Sequence, residues 1–335
     1  MALSRSQFFT LLSAGVAGAI VASPLKAFTT PLQGASTLLA QSTPVAAPAV
    51  ASVSDMNIFQ AFILGLVQGL TEFLPISSTA HLKVVPVLLG WGDPGSAFTA
   101  VIQLGSIGAV LWYFWSDLSQ VVNGALRALL RREYDDQDFR IALGIALGTL
   151  PILLGGVLIK VFVPDYDNSP LRSLGAIAIA SIIMALLLGV AERIGKRKRD
   201  FSQLGMQDGI LMGLAQAMAL IPGVSRSGST LTAGLFMGLE RATAARFSFL
   251  LGIPAITLAG LVELKDVVTG GFAGVGALPL LVGVISAAVF SYISIAWLIR
   301  FLQTQSTLVF IVYRLLFGLA ILASIAAKQP WTVGQ

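Results

Sequence analysis

Two short polar stretches interrupt otherwise apolar helical sequence, and they hold the residues able to do chemistry. The first runs Gln68-Gly-Leu-Thr-Glu72-Phe-Leu-Pro-Ile-Ser-Ser78-Thr-Ala-His81. The second runs Pro222-Gly-Val-Ser-Arg226-Ser-Gly-Ser-Thr230. Ser78 and His81 are three residues apart, so on a helix they share a face. A hydroxyl beside an imidazole is the minimal pair for nucleophilic or general-base chemistry near neutral pH. Gln68 and Glu72 are four apart and could present two oxygens to a hard cation or to a water. Ser77, Ser78 and Thr79 precede a helix start, where hydroxyl caps, free N–H groups and the helix dipole attract an anion. In the second stretch Ser225, Ser227, Gly228 and Thr230 flank Arg226. Backbone N–H groups of such a turn form an anion nest, and the guanidinium adds a planar fork suited to phosphate oxygens. One stretch supplies a phosphate clamp; the other supplies a nucleophile, a base and a carboxylate. If the two tips meet, the chemistry is phosphoryl-ester hydrolysis.

Blander readings stand beside these. Ser-Ser-Thr after proline also reads as a plain helix cap, and a lone intramembrane His as a hydrogen-bonded packing residue. Arg226 also reads as a structural partner of Glu72. Arg314, inside the last apolar run, reads as a structural partner or as a helper on the phosphate side. Glu72 resists the bland reading most, because a buried carboxylate without a partner is costly.

The elements that must position these residues follow from composition. Of 335 residues, 56% are hydrophobic and 11% charged, against about 25% charged in an ordinary soluble domain. Several apolar runs exceed the roughly 20 residues that a bilayer crossing requires. Lipid offers no partner to free backbone groups, so the fold class is an all-α polytopic membrane protein. There is no cysteine and a single His, which excludes disulfides and a His-rich metal site. The net charge of +5 reads as loop charge that sets topology, not as a nucleic-acid footprint.

In chain order, residues 1–28 read as a signal peptide or signal anchor, and residues 29–55 as a disordered Ala/Pro/Ser/Thr linker. Residues 56–330 form the membrane-embedded part. Full spans are expected at about Ala97–Trp115, Phe139–Phe162, Ser173–Glu192, Arg246–Leu264, Leu278–Ile299 and Leu308–Ala327. The two polar stretches break helices that read as re-entrant hairpins, the second between Leu204 and Leu239. The loop Ser116–Arg140 and the loop after Glu192 are both rich in Arg and Lys, and the positive-inside rule places them in the cytoplasm. The first hairpin then opens outside and the second inside.

The hairpins resemble each other. Gly65-Leu-Val-Gln68 recurs as Gly213-Leu-Ala-Gln216, and Ser77 matches Ser225, both 148 positions on, although Pro75 and Pro222 differ by 147. That is the signature of an inverted repeat, with halves at about 56–200 and 201–330, whose broken helices meet at the site.

These motifs, with Val101-Ile-Gln-Leu-Gly-Ser106 and Phe247-Ser-Phe-Leu-Leu251, resemble the undecaprenyl-diphosphatase family, also called the bacitracin resistance protein family. The resemblance covers about residues 56–327. The family's first motif carries Glu or Gln and then Glu four residues later. Gln68 here leaves one formal carboxylate fewer, and Ala80 stands where many members have Gly. The resemblance implies hydrolysis of undecaprenyl diphosphate to undecaprenyl phosphate and phosphate, recycling the carrier for peptidoglycan synthesis and giving bacitracin resistance. It also implies Mg²⁺ or Ca²⁺ dependence and a site open to the outer face of the bacterial plasma membrane.

On this reading Arg226, Ser77, Thr79, Ser225, Ser227, Gly228 and Thr230 hold phosphate, and Glu72 with Gln68 positions a cation or the attacking water. Ser78 attacks with His81 as base, or His81 itself attacks. The partners are a polyprenyl diphosphate lipid and the bilayer; a homodimer is admitted but not required. The rival class is a transporter or flippase of the lipid carrier, which an inverted repeat also suits.

Overall fold

A computed structural model describes residues 56–163, 165–166, 169–270 and 276–329. The expected leader and linker, residues 1–55, lie outside the described residues. The described chain is helical in the order α1 (Ile58–Phe73), α2 (Ser78–Leu88), α3 (Ser96–Tyr113), α4 (Trp115–Arg131), α5 (Gln137–Phe162), α6 (Leu174–Ile194), α7 (Met206–Ala217), α8 (Arg226–Phe236), α9 (Arg241–Gly270), α10 (Ala277–Thr304) and α11 (Leu308–Ala326).

Five of these, α5, α6, α9, α10 and α11, are long and apolar enough to cross a membrane, and the bent pair α3–α4 supplies a sixth. The protein is therefore a polytopic α-helical membrane protein. α1 and α2 have 16 and 11 residues, and α7 and α8 have 12 and 11. At 1.5 Å per residue even α1 reaches only about 24 Å, short of the roughly 30 Å hydrocarbon layer. Each pair is a hairpin that turns back within the protein.

Local sequence sets the ends. Asn57 and Gln60 close a capping box at α1, each side chain bonded to the other's backbone N–H at 2.9 Å. Asp136 caps α5 through the Phe139 N–H, and Ser173 caps α6 through the Ala176 N–H. Pro75 and the Pro222-Gly223 pair stop the first arm of each hairpin, since proline cannot continue a helix.

Lipid tails are as apolar as leucine, so helices here associate through close packing and interhelical hydrogen bonds. α1 packs most extensively against α10, and α7 against α5. Both contacts run on small residues. Gly65 and Gly69 face Gly283 and Ala287, whereas Gly209 and Gly213 face Gly144 and Gly148. A Cβ placed on Gly69 would lie 2.7 Å from the Ala287 carbonyl oxygen, so the helices could not close.

The order hairpin, span, then two further spans occurs twice: α1–α3 with α5–α6, and α7–α9 with α10–α11. The first arm of each hairpin seats on the long span of the other half, so the halves interlock. α4 has no counterpart among the described residues of the second half. Residues 116–140, read from charge as a loop, are thus mostly helix. α3 turns by 67° into α4 at Phe114, and Trp115, Leu118, Val122, Leu126 and Leu129 recur there at helical spacing beside the arginines that gave the stretch its loop-like charge.

One end of the bundle carries a group of ion pairs. Glu192 of α6 pairs with Arg241 of α9 and with Arg197, and accepts the Thr307 hydroxyl at 2.8 Å. Asp208 pairs with Arg199 at 2.7 Å, and Asp117 with Arg246 at 2.6 Å. These bonds tie the starts of α4, α7, α9 and α11 and the end of α6 into one plane, as the charge topology requires.

Candidate functional site

The two breaks have the same unusual backbone. Ser77 precedes α2 with φ 75° and ψ 98°, and Ser225 precedes α8 with φ 73° and ψ 119°. A non-glycine residue at positive φ costs on the order of 1–3 kcal/mol and persists only where its surroundings impose it. Arg314 holds backbone carbonyls near both residues. Its side chain, on α11, is 1% exposed. Nη1 donates to the Pro75 carbonyl at 3.0 Å, Nη2 to the Gly223 and Val224 carbonyls at 2.7 and 3.0 Å, and Nε to the Ser181 carbonyl at 3.3 Å. One guanidinium therefore saturates carbonyls freed by both breaks and pins them to each other. The Ser227 hydroxyl adds a second tie, donating to the Leu74 carbonyl at 2.9 Å.

With the breaks fixed, Glu72 becomes the centre of a converging set. Arg226 Nη2 lies 3.1 Å from Glu72 Oε1. The Ser78 hydroxyl donates to Oε2 at 2.7 Å, and Gln68 Nε2 reaches the same oxygen at 3.2 Å. Behind Gln68, the Ser106 hydroxyl of α3 stands 3.4 Å from Nε2 and accepts from Ser291 of α10 at 2.8 Å. The Glu72 and Arg226 side chains are 10% and 12% exposed. The carboxylate thus answers a guanidinium, a hydroxyl and an amide at once, which is how a buried charge is tolerated.

The spacing-based pairing of Ser78 with His81 is not formed. The Ser78 hydroxyl turns to Glu72 across the break. His81 Nδ1 lies 2.7 Å from the Ser77 carbonyl, and Nε2 lies 2.5 Å from the Tyr313 hydroxyl. A carbonyl only accepts, so Nδ1 carries the proton and Nε2 accepts from Tyr313. The ring stacks on Phe317 at 4.5 Å and on Tyr313 at 5.6 Å between centroids. Both nitrogens are engaged, and the imidazole reads as a brace for the strained Ser77.

The predicted phosphate ligands divide. The Ser225 hydroxyl accepts from the Gly228 N–H at 3.1 Å and lies 3.3 Å from the Ser227 hydroxyl. Thr230, fully buried, donates its hydroxyl to the Arg226 carbonyl at 2.8 Å and lies 2.5 Å from the Ser248 hydroxyl. Ser225, Ser227, Gly228 and Thr230 thus build the turn beneath Arg226, with their polar groups committed to protein. Ser77 is the opposite case: its hydroxyl makes no capping bond, which leaves the first turn of α2 uncapped by it. Thr79 is exposed. Among the described residues no three His, Asp or Glu cluster as metal ligands. Glu72 and Gln68 do stand together, as one carboxylate and one amide.

Sequence reasoning did not single out Tyr313, Ser291 or Gly252. Tyr313 sits 232 positions from the His81 it touches. Gly252 of α9 lies under Arg226, and a Cβ there would stand 3.0 Å from the guanidinium carbon and closer still to Nη1. The glycine that ends Phe247-Ser-Phe-Leu-Leu-Gly was the available signal for that contact.

The chain is similar to known proteins along most of its length. The family described as bacitracin resistance protein BacA matches residues 61–320. A protein of Nostoc sp. named undecaprenyl-diphosphatase is 64% identical over 329 residues, covering 98% of each chain. One of Trichormus variabilis with the same name is 65% identical over 328 residues, again covering 98% of each. A third, from Synechocystis sp., is 64% identical over 271 residues, 81% of this chain and 83% of its own. The likeness to the first two extends beyond the family match, into the N-terminal segment.

Proposed function

The chain belongs to the bacitracin resistance protein family, and we propose that it hydrolyses undecaprenyl diphosphate to undecaprenyl phosphate and inorganic phosphate. In doing so it recycles the lipid carrier for peptidoglycan synthesis and gives resistance to bacitracin. The observation that carries the mechanism is the line Ser78–Glu72–Arg226, drawn from two hairpins.

Arg226 binds the terminal phosphate, with the uncapped first turn of α2 as a second anion site. Glu72 holds the Ser78 hydroxyl in the orientation from which it can take the proton. Ser78 Oγ attacks the terminal phosphorus as that proton passes to Glu72. The bond from this phosphorus to the bridging oxygen breaks, and undecaprenyl phosphate leaves with the electron pair. Water then cleaves the phosphoseryl ester, returning the serine and releasing phosphate. Positioning and charge stabilisation supply most of the rate, as phosphoryl transfer generally demands. His81 holds the strained turn from which Ser78 projects.

A divalent cation, Mg²⁺ or Ca²⁺, fits the donor chemistry jointly with substrate. One carboxylate plus an amide oxygen suits a site whose other ligands are phosphate oxygens, so Glu72 and Gln68 would hold it. When bound, it would neutralise charge on the diphosphate. The protein sits in the bacterial plasma membrane with the Glu192 end in the cytoplasm, and the site opens outward through the first hairpin. The polyprenyl chain stays in the bilayer.

The test uses detergent-solubilised full-length protein and a polyprenyl diphosphate labelled in its terminal phosphate. Release of labelled phosphate, with acid-stable phosphoserine at position 78 after rapid quench, is the expected result. Binding without release moves the protein to the carrier-transport class. Label on His81 would transfer the attack to that residue.

A further inference from the structure

The amphipathic helix α4 has a face that none of the described residues covers, and its three-way division says what does. At 3.6 residues per turn its side chains fall into three arcs. Val121, Gly124 and Ala128 are buried, with Gly124 closing on Asp138 of α5, and Asp117 on the same arc binds Arg246 of α9. That arc is the protein side. Gln120, Asn123, Arg127 and Arg131 form an exposed polar arc. Trp115, Val122, Leu126, Leu129 and Leu130 form an exposed apolar arc of roughly 100°, in which Trp115 is 70% and Leu130 85% exposed.

A free apolar arc on a span would simply face lipid tails. α4 is not a span. It leaves α3 at 67°, at the end of the bundle that carries the ion pairs, so it runs close to the membrane plane. A water-facing helix with five large apolar residues in one arc would be an aggregation liability. Trp112, the last turn of α3, is 78% exposed at the same level, and tryptophan gathers at the membrane–water boundary. Arginine on the polar arc with Trp and Leu on the other is the composition of a helix lying in that boundary. The chain follows α4 with Arg132 and then with Glu133, Asp135 and Asp136. Asp136 turns back to cap α5 and Asp117 is taken by Arg246, which leaves the arginines as the charges that α4 presents on its exposed polar arc.

We propose that α4 is an interfacial anchor. Its Trp115–Leu130 arc is sunk into the headgroup–acyl boundary of the leaflet at the Glu192 end. Arg127, Arg131 and Arg132 contact the phosphates of anionic phospholipids there. The inference is independent of the hydrolytic reading. It makes the angle between α3 and α4 depend on lipid, and α3 supplies the Ser106 that stands behind Gln68 and Glu72.

The absence of native cysteine makes the test direct. Full-length protein carrying Leu126→Cys, Leu130→Cys, Gln120→Cys or Arg127→Cys is spin-labelled in nanodiscs of phosphatidylcholine and phosphatidylglycerol. Labels at 126 and 130 should collide with oxygen, which partitions into lipid, and be shielded from an aqueous nickel chelate. Labels at 120 and 127 should show the reverse. Nickel access at 126 and 130 would mean a water-facing helix and overturn the proposal. Shielding from both reagents would mean a covering protein, such as a second copy, and overturn it equally. For the charged part, phosphatidylglycerol co-purifying with the protein, relative to phosphatidylcholine, should fall several-fold in the triple variant Arg127→Gln, Arg131→Gln, Arg132→Gln. An unchanged ratio removes the anionic contact.

Discussion

Glu72 and Arg226 are 154 positions apart in the chain and 3.1 Å apart in the fold. Each belongs to a different hairpin, and the hairpins enter from opposite ends of the bundle. The contact exists because Arg314 and Ser227 lock the two breaks together first. The pair alone would be a weak argument for stability, since desolvating two charges consumes most of the Coulombic gain. With Ser78 on the same carboxylate, it becomes an argument for chemistry.

Arg226→Ala should lower turnover by about 10²–10³-fold or more, the range seen when one charge-stabilising donor is removed from a site. Arg226→Lys keeps the charge but not the fork, and should recover only part of the loss. Both are read by phosphate release beside a thermal melt in detergent. Arg226→Ala protein that melts normally and turns over normally ends the assignment.

Arg314 makes the opposite prediction. Its donors serve four backbone carbonyls of two breaks and of α6. Arg314→Leu should therefore destabilise the fold by several kcal/mol, because each buried carbonyl left without its donor costs about 1–3 kcal/mol. The melting temperature should fall sharply, with activity lost through the fold. A normal melt with selective loss of substrate binding would show that Arg314 meets phosphate instead.

Much of this was legible because polarity at membrane depth is conspicuous. Pro75 and Pro222 announced the breaks, and the 148-position offset announced the repeat. What periodicity could not see is what happens across a break. Ser78 and His81 share a helical face, but Ser77 at φ 75° swings the start of α2 so that Ser78 meets Glu72, six positions back. Contacts such as Tyr313 to His81 join distant helices and leave no local pattern. The hydroxyls of Ser225, Ser227 and Thr230 have the right types for phosphate ligands, and only coordinates reveal that they also bond Gly228, Leu74, Arg226 and Ser248.

Gly252→Ala tests how tightly Arg226 is seated. The new methyl would overlap the guanidinium, which must move off Glu72. A displacement near 1 Å typically costs on the order of 10²-fold in rate. The expected signature is a reduced kcat with little change in melting temperature, because the displaced end is a flexible side chain. Unchanged kcat would mean that Arg226 tolerates the shift and that its contact with Glu72 is not needed for turnover.

Tyr313→Phe separates the two accounts of His81. If the imidazole braces Ser77, losing the Tyr313 hydroxyl removes one hydrogen bond worth about 1 kcal/mol and slows turnover by up to about tenfold. The pH–rate profile should keep its shape, because Glu72 remains the base. His81→Ala should then be worse than Tyr313→Phe, since it removes the imidazole bond to the Ser77 carbonyl, leaving only the backbone N–H of residue 81 there, and empties the slot against Phe317. If His81 were instead the base or nucleophile, freeing Nε2 from Tyr313 would change the group that titrates in the reaction. The acid limb of the profile would move in Tyr313→Phe while the melt stayed put. Measuring both profiles on one preparation decides between a brace and a catalyst.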